Sequence, residues 1–159
     1  MKITASKFVY NLLVNIPVTC MLTLTAQILN NGGFICYWKD FVINFCISFP
    51  IAMMIGLFIP LVYLGKWFTA LFNVKNDTYT HNLAYRLLAT FFASFLYSII
   101  LSPISYLINR LIFDPNYPLI KYVTDCLKTI PVMIGVGFVS SIFFDIPAYR
   151  VAHKMDPEF

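Results

Sequence analysis

The chain has 159 residues, of which 60% are hydrophobic and only 11% are charged, and its formal net charge is +4. Because soluble domains carry about a quarter of charged residues, this composition excludes a soluble domain and predicts a protein of the lipid bilayer. Scattered Lys and Arg beside the membrane account for the net charge, so no nucleic-acid partner is expected.

Four apolar stretches predict four membrane-spanning helices in chain order, and therefore an all-α, four-span transmembrane helix bundle. The first runs from about residue 8 to 29 and stops at the Asn-Asn-Gly-Gly turn signal of 30–33. The second covers about 41–65, the third about 83–107, and the fourth ends near Ile146 and Pro147. The first three uncharged runs exceed the roughly 20 residues that cross a hydrocarbon core.

These spans divide the chain into a first hairpin (1–66), a linker (67–82), a second hairpin (83–147) and a tail (148–159). In the linker, aromatic and aliphatic residues recur at helical spacing, which predicts a short amphipathic piece on the membrane surface; they are Trp67, Phe68, Leu71 and Phe72. The first apolar run is too long for a signal peptide, so we expect it to be retained.

Lys and Arg are more frequent on the side of the membrane that holds both termini, where seven of the eleven lie. This bias predicts cytoplasmic termini. Richness in Ile, Phe, Asn and Tyr is typical of AT-rich bacterial genomes, so the expected location is a bacterial plasma (inner) membrane.

Polar residues recur every four positions along the first helix of each hairpin, and four-residue steps mark one row on a helix surface. The first polar row is Asn11, Asn15, Thr19, Thr23 and Gln27. An offset of 75 gives the second polar row, which is Arg86, Thr90, Ser94, Ser98 and Ser102. The two rows predict an internal repeat.

The second helices of the hairpins correspond as well, with an offset of 81. Pro50 matches Pro131 and Gly56 matches Gly137. The prolines predict kinks, and the glycines stand in four-step rows of small residues that let helices approach closely in lipid. Two-helix units return the chain to its starting side, so the repeats should be parallel.

The first hairpin carries the residues Asn11-Leu-Leu-Val-Asn-Ile-Pro-Val-Thr-Cys-Met, then Asn31-Gly32, Trp38 and Ser48-Phe-Pro-Ile-Ala. It resembles the small bacterial membrane proteins grouped as domain of unknown function twenty-seven ninety-eight, whose members often carry two such units. The resemblance implies the class of protein and its location. It implies no activity or catalytic residue, because none is established for that family.

The polar rows have two interpretations. Ser and Thr in membrane helices can bond the carbonyl four residues earlier and serve as packing residues or contacts for partner helices. The same side chains can instead line a hydrated path that binds or passes a small solute. The candidate residues for either role are Asn15, Thr19, Thr23, Asn44, Thr90, Ser94 and Ser98.

The sequence lacks the groups that other membrane activities need. No ionisable residue stands in the middle of a predicted span, which disfavours proton-coupled export. No nucleophile with a base appears, and the four Cys residues lack metal-ligand spacing. We therefore expect no enzyme, cofactor or metal, and we expect either a homo-oligomer or a subunit bound to a partner membrane protein.

Overall fold

The computed structural model describes residues 4–31, 37–59, 67–72, 83–113, 116 and 118–156. Within these ranges, the backbone but not the side chains is described at 30–31, 83–86, 105–106 and 108–113. Four long helices make up most of this part: α1 (Ala5–Asn31), α2 (Trp38–Phe58), α3 (Leu83–Phe113) and α4 (Leu119–Met155). The described residues contain no strand. The prediction of an all-α four-helix bundle is confirmed.

All four helices are long and apolar enough to cross a membrane. At about 1.5 Å per residue, even the 21 residues of α2 reach the thickness of a hydrocarbon core. The four helices fit a multi-pass membrane protein, and they are compatible with a membrane location.

The helices pack in a ring in which each touches the next along the chain and α4 returns to α1. Helix α1 therefore has α2 and α4 as neighbours and lies diagonally opposite α3. Consecutive helices run in opposite directions, so α1 and α3 begin at the same end of the bundle. We call this end, where α2 and α4 finish, the α1-start end.

Large apolar side chains cover the outside of the bundle, as lipid requires; Phe58, Ile120 and Phe143 are among the most exposed. The interior holds an apolar cluster made of Val18, Leu22, Ala52, Ile55, Tyr97, Leu101 and Met133. Polar side chains from every helix share this interior. The surface is thus apolar while the core is mixed.

Two helix ends differ from those expected from the sequence. Helix α2 ends at Phe58 because Ile59 is extended, and a residue before proline disfavours the helical conformation; the remainder of the predicted span, 60–65, lies outside the described residues. Helix α4 continues through Pro147 to Met155. The small side chains of Ala148 and Ala152 are buried there, so packing compensates for the bond that proline removes. The segment 148–155, which the sequence analysis assigned to the tail, is therefore helical.

The described part of the linker, residues 67–72, forms a single helical turn beside α3. The ring of Phe68 stacks on Phe92, with centroids 4.3 Å apart and planes at 9°. Thr69 is buried, whereas Trp67, Leu71 and Phe72 are exposed. One side of this turn packs on the bundle and the other presents large apolar groups. Its contact with a membrane surface stays a prediction.

Candidate functional site

Both polar rows face the interior of the bundle. All five residues of the first row and Thr90, Ser94 and Ser98 of the second are at most 8% exposed. Ser102 is half-buried, and the side chain of Arg86 lies outside the described set. The polar groups that the sequence arranged in rows on separate helices thus share one interior.

The first polar row lies along α2 with antiparallel register. Asn11 stands next to Gly56, where an added Cβ would lie 2.2 Å from the Asn11 Oδ1 atom. One turn further along, the Asn15 amide donates to the Ala52 carbonyl oxygen at 3.4 Å. If the same register continues, Thr19 lies at the level of Ser48 and Thr23 at the level of Asn44. Asn44 is half-buried, and its Oδ1 atom has no hydrogen-bond partner among the described residues.

Tyr97 of α3 reaches across the bundle to this register. Its hydroxyl lies 2.7 Å from the Asn15 Oδ1 atom and also contacts the Ala52 carbonyl oxygen. The Asn15 amide nitrogen is 3.6 Å from the sulfur of Met53. Because a phenol has one O–H to donate, Asn15 and Ala52 compete for the same proton. We call Tyr97, Asn15 and Ala52 the Tyr97 node. It joins α1, α2 and α3, and thereby connects α1 with the helix diagonally opposite to it.

Tyr97 was not among the candidates chosen from the sequence. Tyrosine in an apolar run is an ordinary packing residue, and its partners are 82 and 45 residues away along the chain. One signal was present, since Tyr97 follows Ser94 by three positions and therefore shares its side of the helix.

Polar side chains of α1 towards the α1-start end are hydrogen-bonded. The Asn11 amide donates to the Lys7 carbonyl oxygen at 2.8 Å, and the Lys7 ammonium donates to the Leu57 carbonyl oxygen at 3.1 Å at the end of α2. Between α1 and α4, the Tyr10 hydroxyl donates to the carboxylate of Asp145. At the extreme end, the Ser6 hydroxyl donates to the Asp156 carboxylate at 3.1 Å.

Three hydroxyls near the Tyr97 node have no such partners among the described residues. Within the part of the chain that the structure describes, the hydroxyl oxygens of Thr19, Ser94 and Ser98 form no hydrogen bond. Thr19 and Ser98 are each 1% exposed and Ser94 is 5% exposed. We call these three residues the hydroxyl cluster; each is buried in the bundle interior.

Gly137 of α4 faces two members of this cluster. An added Cβ would lie 3.8 Å from the Ser98 hydroxyl oxygen, 3.9 Å from the Ser94 Cβ and 3.8 Å from a methyl group of Leu22. Leu22 follows Thr19 by three positions on α1, so Thr19 lies on the same side of that helix. Because Gly137 has no side chain, there is space for one methyl group beside the hydroxyls, and that group would make only ordinary van der Waals contacts.

Hydroxyls elsewhere on the helices bond their own backbone. Thr25 donates to the Met21 carbonyl oxygen at 2.8 Å, and Thr124 donates to the Ile120 carbonyl oxygen at 2.9 Å. Thr129 reaches the carbonyl oxygen of Cys126 at 3.1 Å. This local bond is available to any Ser or Thr in a helix, so its absence in the hydroxyl cluster reflects the side-chain orientation there.

The proposed kink and packing residues divide into two groups. Pro50 and Pro131 lie inside α2 and α4 and are exposed on the outer surface. Gly56 and Gly137 are buried against the polar rows. Gly56 faces Asn11 and Asn15 on α1. In an exact repeat, Gly137 would therefore face the residues 75 positions later, which are 86 and 90. It faces Ser94 and Ser98 instead. The repeat stays a prediction from the sequence.

Charged and metal-ligating side chains contribute little to this interior. Of the charged residues that the structure describes, only Asp145 is buried, at 4% exposed. The described residues contain no group of three His, Cys, Asp or Glu side chains that could hold a metal ion. Cys20, Cys46 and Cys126 are free thiols, and Cys36 lies outside the described residues. The interior chemistry is that of hydroxyl and amide groups.

Comparisons with protein-family models, curated proteins and solved structures found no match to this chain. The fold and the interior therefore define the class, which is a multi-pass helical membrane protein with a polar core. The resemblance to domain of unknown function twenty-seven ninety-eight stays a prediction.

Proposed function

We propose that the bundle interior binds a small, neutral, hydrogen-bonding solute at the hydroxyl cluster and passes it along the polar rows. The observation that carries this proposal is the set of three buried hydroxyls without partners. Leaving a buried polar group unpaired costs about 1–3 kcal/mol, so a molecule that supplies the missing hydrogen bonds would be bound favourably.

The chemistry of the cluster indicates the kind of solute. Hydroxyls both donate and accept, and the neighbouring amides do the same. The described side chains of the polar rows carry no formal charge, so they offer nothing to offset the desolvation of an ion. Small polyols and urea-like amides match these groups.

The alternative role, in which the polar rows bind helices of a partner protein, is less well supported. Such a role needs the rows on the outer surface of the bundle. Their described members other than Ser102 are at most 8% exposed, because helices of the same chain already cover them.

The first test measures water access with single cysteines at Thr19, Ser94 and Ser98 in a cysteine-free background. A small, uncharged, polar methanethiosulfonate reagent should modify them in membranes if the interior is hydrated. Val18 is equally buried but belongs to the apolar cluster, so Val18→Cys is the matched control and should stay unmodified. Unreactive cysteines at all three hydroxyl positions would contradict the proposal.

The second test measures transport of glycerol and urea into proteoliposomes by light scattering. Gly137→Ala adds a methyl group beside Ser98 at ordinary contact distance, so it should narrow the site without disturbing the fold. Gly135→Ala is the control, because its added Cβ meets no heavy atom within 4 Å. Slower uptake in the Gly137 variant alone is the expected result.

We further propose that the protein lies in a bacterial inner membrane with both termini cytoplasmic. The Lys and Arg bias supports this orientation. Reporter fusions after Phe159 and within residues 73–80 should both give cytoplasmic signals, and an external signal from either would contradict it.

A further inference from the structure

Polar groups are paired on one side of the hydroxyl cluster and unpaired within it. From Ser6 to Asn15, the interior polar side chains of α1 towards the α1-start end have hydrogen-bond partners. Among the residues that the structure describes, Thr19, one turn beyond Asn15, has none, and neither do Ser94 and Ser98. On α1, the boundary between the two regions lies between Asn15, which belongs to the Tyr97 node, and Thr19.

We infer that Tyr97 and Asn15 form a hydrogen-bonded gate between the hydroxyl cluster and the α1-start end. A neutral solute opens this gate by taking the hydrogen bonds that the two side chains make to each other. The inference rests on the proposed function, because a gate has meaning only if a solute reaches the hydroxyl cluster.

The geometry of the node fits a barrier that a solute can open. Tyr97 is 9% exposed and belongs to the apolar cluster, so its ring packs in the interior with residues of α1 and α2. Its hydroxyl is held by Asn15 at 2.7 Å and by the Ala52 carbonyl oxygen. Because the single O–H has two acceptors, one acceptor can always take a donor from a solute.

The node also favours neutral ligands. A solute amide or hydroxyl can donate to the Asn15 oxygen and accept from Tyr97, replacing each lost hydrogen bond with an equivalent one. An ion would meet only neutral dipoles at this position, and its desolvation would not be offset. The gate thus selects by hydrogen bonding and by charge at the same residues.

The test combines Tyr97→Phe with a cysteine at Thr19 in a cysteine-free background. The substitution removes only the hydroxyl and keeps the ring. A cysteine at Thr4, which is exposed near the start of α1, identifies the side of oriented vesicles that carries the α1-start end. A small, uncharged, polar methanethiosulfonate reagent is then applied to one side at a time, with an excess of an impermeant free thiol on the other side to quench any reagent that crosses the bilayer.

From the α1-start side, Tyr97→Phe should raise the modification rate at position 19 by about fivefold, the effect of losing one hydrogen bond of ordinary net strength. The rate from the opposite side should not change. Asn15→Leu, which keeps the bulk and removes the acceptor, should produce the same one-sided increase. Urea uptake by proteoliposomes should rise with both substitutions.

Tyr122→Phe is the matched control. The Tyr122 hydroxyl also joins two helices, since it donates to the Pro103 carbonyl oxygen at 2.7 Å, but it lies outside the polar rows. This variant should leave modification at position 19 unchanged. A cysteine at Val18 should stay unmodified in every variant, which separates gate opening from loosening of the bundle.

The outcomes distinguish the gate from the solute path. Suppose that the cysteine at position 19 reacts from the opposite side, but that its modification rate from the α1-start side is the same with and without the Tyr97 hydroxyl. This result would overturn the gate and leave the solute path standing. Cysteines at Thr19, Ser94 and Ser98 that are inert from both sides would overturn both. An equal increase with Tyr122→Phe would also overturn the gate, because it would reflect general loosening.

Discussion

Gly56 is the position at which the close contact between α1 and α2 is most sensitive to a single methyl group. In Gly56→Ala, the new Cβ would lie 2.2 Å from the Asn11 Oδ1 atom and 3.1 Å from the Asn15 amide nitrogen. The first distance is far below van der Waals contact, so Asn11 must move. Its hydrogen bond to the Lys7 carbonyl oxygen is the one at risk.

The magnitude follows from comparing alanine at Gly56 and at Gly135. Replacing Gly by Ala in a helix interior favours the helix by about 1 kcal/mol, and this gain applies at both positions. At Gly135 nothing lies within 4 Å of the new methyl group, so the gain is undiminished. At Gly56, overpacking subtracts about 1–3 kcal/mol. Gly56→Ala should therefore be less stable than Gly135→Ala by about 1–3 kcal/mol, with Gly137→Ala close to Gly135→Ala.

Equilibrium unfolding in one detergent, followed by circular dichroism, measures these differences in the free energy of unfolding. Asn11→Ala supplies the decisive control, because it removes the atom that the methyl group strikes. When Asn11→Ala is already present, adding Gly56→Ala should cost much less stability than it does in the original protein. Equal stabilities for Gly56→Ala and Gly135→Ala, or an equal cost of Gly56→Ala with and without Asn11→Ala, would refute the close contact.

Three further substitutions test other parts of the bundle. Thr19→Val removes an unpaired buried hydroxyl, so it should raise the free energy of unfolding by about 1–3 kcal/mol and slow urea uptake. Thr25→Val, at a hydroxyl bonded to its own helix, should produce neither effect. Tyr10→Phe deprives the buried Asp145 carboxylate of a donor and should lower the free energy of unfolding by about 1–3 kcal/mol, which denaturation in detergent measures; no loss would mean that other groups suffice. Phe68→Ala removes a stacked ring and should speed proteolysis of the linker, and an unchanged cleavage rate would contradict the packing of 67–72 on α3.

The number and type of elements could be predicted from the sequence because the bilayer imposes a simple rule. A helix must be about 20 apolar residues long to cross, and turn residues must follow it. This rule predicts that a helix exists more reliably than it predicts where the helix ends. Helix α4 runs to Met155 because Ala148 and Ala152 pack inside the bundle, and that packing depends on a neighbouring helix. No local signal distinguishes these alanines from those of a polar tail.

The polar interior was predictable only in part, for a similar reason. Periodicity places Asn15, Thr19 and Ser94 on rows, but it does not determine whether a row faces lipid, a neighbour or the centre. It also cannot pair rows on different helices, so Tyr97 was missed although it lies beside Ser94. Asp145 precedes the predicted end of the fourth helix by one residue, and its burial against Tyr10 depends on the return of α4 to α1.

Hydrogen bonding within this chain indicates where stability and function conflict. Thr25 and Thr124 satisfy their hydroxyls locally, which is the low-energy arrangement for threonine in a membrane helix. Thr19 has the same option on the same helix as Thr25, yet its buried hydroxyl has no partner within the described part of the chain. Valine has nearly the same shape and would avoid a cost of about 1–3 kcal/mol. A chain built only for packing would place apolar groups here, so departures of this kind from the most stable sequence are expected where a site has a function.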